Sequence, residues 1–256
     1  MTPPPGLHSK VPKITAYFWV AKVLSTAMGE ATSDFLVHRL GATVAVPIGA
    51  LALLIALVVQ IAARRYVVGL YWLAVAMVGV VGTMAADVLH VGAHVPYAVS
   101  APLFAVSLAV IFVLWQHTEK TLSIHSVFTL RRELFYWATV MATFALGTAT
   151  GDLTATTLHV GFLGSGFLFL AVFVVPGVAY RWFSMNAILA FWFAYVVARP
   201  LGASFADWMG KPKTNGALAL NLGWVSLGWT VALAIVVLWL MVSGKDVPDD
   251  QLAPAS

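Results

Sequence analysis

Residues 18–34 read FWVAKVLSTAMGEATSD, and the same pattern returns three more times along the chain. The other copies are YWLAVAMVGVVGTMAAD at 71–87, YWATVMATFALGTATGD at 136–152 and FWFAYVVARPLGASFAD at 191–207. Each copy aligns without a gap and holds a Trp, then a Gly ten residues later and an Asp fifteen residues after the Trp. These are Trp19, Trp72, Trp137 and Trp192; Gly29, Gly82, Gly147 and Gly202; and Asp34, Asp87, Asp152 and Asp207. Self-similarity of this kind indicates tandem structural repeats.

The composition predicts a membrane protein. Of 256 residues, 61% are hydrophobic and 9% are charged, against about a quarter charged in an ordinary soluble domain. The net charge of +4 does not indicate nucleic-acid binding, because the basic residues are scattered between apolar runs instead of clustered on one face. The absence of Cys excludes disulfides, thiolate metal sites and iron–sulfur clusters.

Eight apolar segments are long enough to cross about 30 Å of hydrocarbon. We expect spans near 14–36, 44–61, 67–88, 97–115, 134–156, 163–180, 186–208 and 218–242. With this assignment one side collects nine basic residues, Lys10, Lys13, Arg64, Arg65, Lys120, Arg131, Arg132, Arg181 and Lys245, and the other only Arg39, Lys211 and Lys213. The excess places both termini in the cytoplasm. The start of the chain lacks the pattern of a cleaved signal peptide, so the first span is expected to be retained.

Each repeat contributes two crossings, so successive repeats enter the membrane from the same side and are parallel repeats. The sequence therefore predicts an all-α protein with a pseudo-twofold or pseudo-fourfold axis along the membrane normal. Its expected parts are a cytoplasmic segment 1–13, a first half 14–117, a connection 118–126, a second half 127–243 and a disordered tail 244–256. At 1.5 Å per residue, the four Asp lie about 22 Å from the Trp positions and share one depth.

The odd-numbered spans are expected to line the interior. In the first, Lys22, Ser25, Thr26, Gly29, Glu30 and Ser33 form one helical stripe. The even-numbered spans offer little polar material and are expected to face lipid. The repeated glycines allow close approach of helices, which is a structural role, and the four Trp are expected to pack each odd helix against a neighbour.

Ionisable side chains inside a membrane are candidates for function, because burying a charge costs several kcal/mol unless it is compensated. Five acids, Glu30, Asp34, Asp87, Asp152 and Asp207, face two bases, Lys22 and Arg199, which leaves three negative charges. That excess favours a cation site or a proton relay. The alternative is that the Asp residues cap helices or bind neighbouring groups within each repeat. A Glu30–Arg199 ion pair is compatible with both interpretations.

Histidines could add a metal site near the outer surface. His90 and His94 are one helical turn apart, and His94 and His159 are equivalent, each 22 residues after its Trp. His38 follows the first Asp but has no equivalent. Interfacial histidines without a ligand are the alternative.

The segments KVPKITAYFWVAKVLSTAMGEATSD, FYWATVMATFALGTATGDLTA and FWFAYVVARPLGASFADWMGKP resemble a bacterial family of uncharacterised membrane-anchored proteins. That family is defined by a tandem repeat of unknown function, with four copies per chain, two spans per copy and a recurrent Trp. The resemblance covers residues 14–243 and implies an eight-helix architecture in a bacterial inner membrane. It implies no activity, and therefore no catalytic residues.

The sequence thus predicts a transporter or channel-like permease, not an enzyme, that moves a small cation such as Mn²⁺, Mg²⁺ or Ca²⁺, or exchanges it for protons. The expected partners are the lipid bilayer and the cation, with no nucleic acid; self-association is left open. No cofactor is expected apart from a bound divalent cation. The alternatives are a membrane redox protein or enzyme with haem or metal held by His, and a non-transporting scaffold or sensor.

Overall fold

The computed structural model describes residues 8–213 and 216–252. These residues form nine α-helices, with no β-strand. Eight are long: α1 (Ala16–Leu40), α2 (Ala42–Ala62), α3 (Val68–Asp87), α4 (Tyr97–Glu119), α5 (Leu130–Asp152), α6 (Phe162–Trp182), α7 (Ala187–Gly210) and α8 (Leu222–Ser243); α9 (Asp249–Leu252) is a single turn. The all-helical fold is confirmed, and each of the four repeats contributes two long helices.

Side-chain caps determine where several helices begin. Thr15 and Thr129 accept hydrogen bonds from backbone N–H groups in the first turns of α1 and α5. Asn186 and Asn221 do the same for α7 and α8. Such caps satisfy amides that have no partner within the helix. Because Thr129 caps α5, that helix begins four residues before the expected position 134.

The odd-numbered helices form an inner ring in the order α1, α3, α5, α7, in which α7 closes onto α1. The even-numbered helices form an outer layer, and each packs chiefly on the inner helix of the following repeat: α2 on α3, α4 on α5, α6 on α7 and α8 on α1. This is the arrangement that the polar stripe of the odd helices and the apolar even helices predict.

Six of the long helices, α2, α3, α4, α6, α7 and α8, are long and apolar enough to cross a membrane. The other two, α1 and α5, carry more charged and hydroxyl side chains. Many of these, including Lys22, Glu30 and Thr143, are buried within the ring. The low hydropathy of α1 and α5 therefore comes from side chains that face other helices.

The repeated Gly positions mark the closest approaches around the ring. A Cβ on Gly29 would lie 2.8 Å from the backbone of Gly79 in α3. A Cβ on Gly147 would lie 2.2 Å from Arg199 Cγ in α7, and one on Gly202 would lie 2.8 Å from the Ala27 nitrogen in α1. Only Gly fits where helices approach this closely.

The repeated Trp residues form a second cyclic set of contacts. Each packs on the aromatic residue that precedes the Trp of the previous inner helix, with ring centroids 5.6–6.2 Å apart. The pairs are Trp72–Phe18, Trp137–Tyr71, Trp192–Tyr136 and Trp19–Phe191. These eight aromatic side chains, which we call the Trp belt, pack together at one end of the bundle of inner helices.

The tail differs from the expected disordered segment 244–256 over residues 244–252, because its acidic groups find partners. Asp246 is fully buried and accepts a hydrogen bond from Tyr66, while Asp250 accepts from the backbone of Ser9. Burial and the neighbouring Asp246 carboxylate raise the pKa of Tyr66. Residues 1–7, 214–215 and 253–256, which include parts of the expected N-terminal segment and tail, lie outside the described residues.

Candidate cation site

The four inner helices place equivalent residues in layers along the axis of the ring. Seven residues after the Trp positions lie Thr26, Gly79, Phe144 and Arg199, and eleven residues after them lie Glu30, Thr83, Thr148 and Ala203. All eight are buried. Since the repeats differ in these layers, each layer is chemically asymmetric although the helices are arranged alike.

Arg199 contacts all three other inner helices, and we call Arg199 with its hydrogen-bond partners Thr26, Glu30, Thr83 and Thr148 the hub. The Arg199 side chain is fully buried, and Nη2 donates to Glu30 at 2.6 Å, to Thr148 Oγ1 at 2.8 Å and to Thr83 Oγ1. Nη1 donates to the Thr26 carbonyl oxygen at 3.1 Å. The guanidinium therefore binds α1, α3 and α5 from α7. The Glu30–Arg199 ion pair anticipated from the sequence is present.

Lys22 lies on the Trp side of this hub in an aromatic environment. Its Nζ lies 3.8 Å from the centre of the Tyr195 ring and 4.2 Å from that of Phe144. It is fully buried, and Nζ has no hydrogen-bond partner among the described residues. The sequence suggested that Lys22 pairs with the carboxylates, but it does not. Arg199 forms the ion pair with Glu30, and the Lys22 side-chain nitrogen lies between two aromatic rings.

On the other side of the hub, three carboxylates converge. Glu30, Asp34 and Asp207 each offer an oxygen within 4.8 Å of the others, and we call this set the carboxylate cluster. Oxygen ligands around one hard cation at about 2.3–2.6 Å are separated by distances up to about 5 Å, so the spacing suits such an ion. Of the five carboxylates predicted for the site, the structure thus brings three together.

Lys211 holds the cluster together. Its Nζ lies 2.7 Å from Asp34 Oδ2 and 3.6 Å from Asp207 Oδ1. The Asp207 side chain is 4% exposed, and its Oδ1 has no hydrogen-bond donor within the described part of the chain. Burial lowers the pKa of Lys211, but Asp207, Asp34 and Glu30 raise it by more, to well above the usual value. The Lys211 ammonium thus contacts two of the three carboxylates of the cluster.

The other two repeat carboxylates, Asp87 and Asp152, lie at the same end of the ring but outside the cluster. Each is the last residue of its α-helix and is followed by a π-helical turn, Val88–Gly92 and Leu153–Thr157. Helices α1 and α7 instead continue past their Asp residues. Asp152 interacts with the side chain of Tyr97, the first residue of α4.

The histidines do not join the carboxylates. His94 and His159 are exposed and share a positive φ, 54° and 55°, whereas His90 stacks on Tyr97 with its Nδ1 2.7 Å from the Val95 carbonyl oxygen. His38 is exposed. In residues 8–213 and 216–252 no histidine belongs to a group of three or more His, Asp or Glu side chains close enough to share a metal ion.

Sequence reasoning missed Lys211 and Tyr97. Lys211 follows the seventh span, where it was counted among the bases of the outer side, and Tyr97 begins a helix expected to face lipid. The signal for Lys211 was its position four residues after Asp207, the spacing of an ion pair on one helical face. With Lys211 included, five acids face three bases, so the interior excess is two negative charges.

The comparisons with known proteins agree with the repeat structure. A family model described as Repeat of Unknown Function (DUF347) matches the chain four times, over residues 17–66, 70–121, 135–186 and 190–246. Each match contains one inner and one outer helix. No curated protein and no solved structure matches the chain.

Proposed function

Since the chain belongs to the family built from the DUF347 repeat, whose function is unknown, we propose its function from its own geometry. The protein is a permease of the bacterial inner membrane that binds a small cation at the carboxylate cluster and moves it across the bilayer. The cation is a divalent metal ion, or exchanges for protons, and no residue is assigned a catalytic role. The observation that carries the proposal is the Lys211 ammonium held by Asp34 and Asp207.

The proposal includes the topology. All eight long helices cross the membrane, with α1 and α5 shielded by their neighbours, and both termini are cytoplasmic. The halves 14–117 and 127–243 are related by an axis along the membrane normal, and the cyclic Gly and Trp contacts support a pseudo-fourfold arrangement. The carboxylate cluster then faces the outer side, opposite the basic residues.

Binding would begin by exchange with Lys211. A cation that enters the cluster competes with the ammonium for Asp34 and Asp207, since both positive charges need the same oxygens. Glu30 is the third ligand, but it is bound to Arg199. Because the ion pair uses Glu30 Oε2, Oε1 can bind the cation while the pair is kept. Glu30 thereby links the carboxylate cluster to the hub that joins all four inner helices.

Passage beyond the hub needs a conformational change. Arg199, Phe144 and Lys22 lie at the centre of the ring on the way to the Trp end, and the buried guanidinium of Arg199 carries positive charge that opposes a cation. The Trp belt and the packed termini close the far end. A site near one face with the other face closed is what alternating access requires of an outward-facing state.

Flux into liposomes tests the proposal. Purified protein should take up one cation of a panel that includes Mn²⁺, Mg²⁺, Ca²⁺ and protons, and Asp34→Asn combined with Asp207→Asn should abolish uptake. The matched control is Asp249→Asn, which removes an exposed tail carboxylate. Absence of flux for the whole panel with folded wild-type protein would favour the scaffold interpretation, which the dense Trp and Gly packing also accommodates.

A further inference from the structure

A groove of about 850 Å³ lies at the Trp end of the bundle, remote from the carboxylate cluster. It is bounded by the second half of α6, the first turns of α1 and α7, and residues 122–125 of the connection before α5. Its volume falls within the range of about 300–1,000 Å³ that encloses small-molecule ligands. The floor is apolar and includes Trp19, Phe173 and Phe191.

Among the described residues that line the groove, Arg181 is the only Lys, Arg, Asp or Glu. Arg181 lines it and, within the described part of the chain, has no carboxylate within 4.0 Å. Partial burial lowers the pKa of His125, which also lines the groove, and so favours its neutral imidazole. Tyr180 and Trp182 beside Arg181 remain 56% and 69% exposed, as is typical of residues at a membrane–water interface.

The apolar space is unfilled next to Arg181. Gly177 lines the groove one helical turn before Arg181, and a Cβ built on it meets no atom of the described residues within 4 Å. The groove thus combines a free cation at its rim with empty apolar space one turn away. A ligand that matches both features has an anionic head and a long apolar chain.

We propose that this groove binds one anionic phospholipid, with the phosphate at Arg181 and an acyl chain along Gly177 and Phe173. The same end of the bundle carries the nine basic residues that indicate the cytoplasmic side, where anionic lipids and basic side chains attract one another. The assignment is independent of cation transport, because none of its residues belongs to the carboxylate cluster or to the hub.

Native mass spectrometry of the purified full-length chain tests the site, with phosphatidylglycerol and phosphatidylcholine of identical acyl chains as probes. Wild-type protein should bind phosphatidylglycerol about fivefold more tightly, which corresponds to about 1 kcal/mol for one basic side chain near the phosphate. Arg181→Gln should remove this preference. Gly177→Trp, which fills the space, should remove the bound lipid of either kind.

Two controls separate the site from general effects. Arg65→Gln removes an exposed charge at the same end but away from the groove, and Gly228→Trp fills open space on α8. Both control variants should bind lipid as wild type does. If Gly177→Trp prevents folding, Gly177→Leu is the smaller substitution that fills the same space. Equal affinity for the two lipids, displacement of the lipid by inorganic phosphate alone, or a groove filled by a second copy of the chain would each overturn the assignment.

Discussion

Glu30→Gln should destabilise the protein strongly, because it leaves the Arg199 guanidinium buried without its carboxylate. The pair lies 2.6 Å apart with side-chain exposures of 0% and 2%. Removal of one partner of such a pair costs about 3–5 kcal/mol. For a chain of this size we expect the melting temperature to fall by roughly 2–4 °C for each kcal/mol, and so by roughly 10 °C.

The double variant Glu30→Gln, Arg199→Met should recover most of this loss. Methionine retains the part of the side chain that packs against Gly147, and no buried charge remains. Replacement of a buried ion pair by apolar groups is often neutral or stabilising. The matched control is the exposed pair Lys13–Asp249, for which Asp249→Asn should change stability by no more than about 1 kcal/mol.

The assay is thermal unfolding in one detergent, followed by the near-ultraviolet signal of the buried aromatic residues. A Glu30→Gln protein as stable as wild type would refute the claim that the Glu30–Arg199 ion pair stabilises the ring of inner helices. So would a double variant that is less stable than both single variants, because this would mean that Arg199 stabilises the ring by contacts other than the ion pair.

Three further predictions concern the same interior. Gly202→Ala should lower the free energy of unfolding by about 1–3 kcal/mol, because the new Cβ would overlap Thr26 Oγ1 and the backbone of α1. Gly228→Ala, whose Cβ meets no atom of the described residues within 4 Å, should be neutral. Equal melting temperatures of the two variants would contradict the close approach of α7 to α1. Lys22→Met should raise the free energy of unfolding by about 1–3 kcal/mol, because it removes a buried donor that has no hydrogen-bond acceptor among the described residues. A lower melting temperature would contradict this and would mean that the ring contacts of Nζ outweigh the cost of burial. The raised pKa of Lys211 predicts that its contribution to stability is constant below about pH 10.4 and is lost as the pH rises further; a difference between wild type and Lys211→Gln that disappears between pH 7 and 9 would be inconsistent with this.

The sequence was sufficient for the repeat architecture and for the polar interior. The Trp, Gly and Asp spacing identified the inner helices, and the departures from the repeat, Glu30 and Arg199, proved to be ion-pair partners. Burial of one ionisable side chain in a membrane costs free energy, and an ion pair between two such side chains offsets part of that cost.

The order of the helices around the ring was beyond sequence reasoning, because four similar repeats offer no feature that distinguishes neighbours. Lys211 and Tyr97 were missed since both lie at helix ends, where local sequence does not reveal which interior group they reach. The acidic tail looked solvated, but Tyr66 and Ser9 give it buried partners, and such contacts between distant segments leave no periodic signal.

Cation binding by Lys211→Met, compared with wild type and Asp34→Asn, tests the central claim most directly. Because Lys211 occupies the carboxylate cluster as a tethered competitor, Lys211→Met should bind the transported cation more tightly than wild type, and the cation should raise its melting temperature. Asp34→Asn should bind more weakly. Calorimetric titration of the purified proteins measures both changes. If Lys211→Met binds no more tightly than wild type, while Asp34→Asn binds as well, the carboxylate cluster is not a cation site.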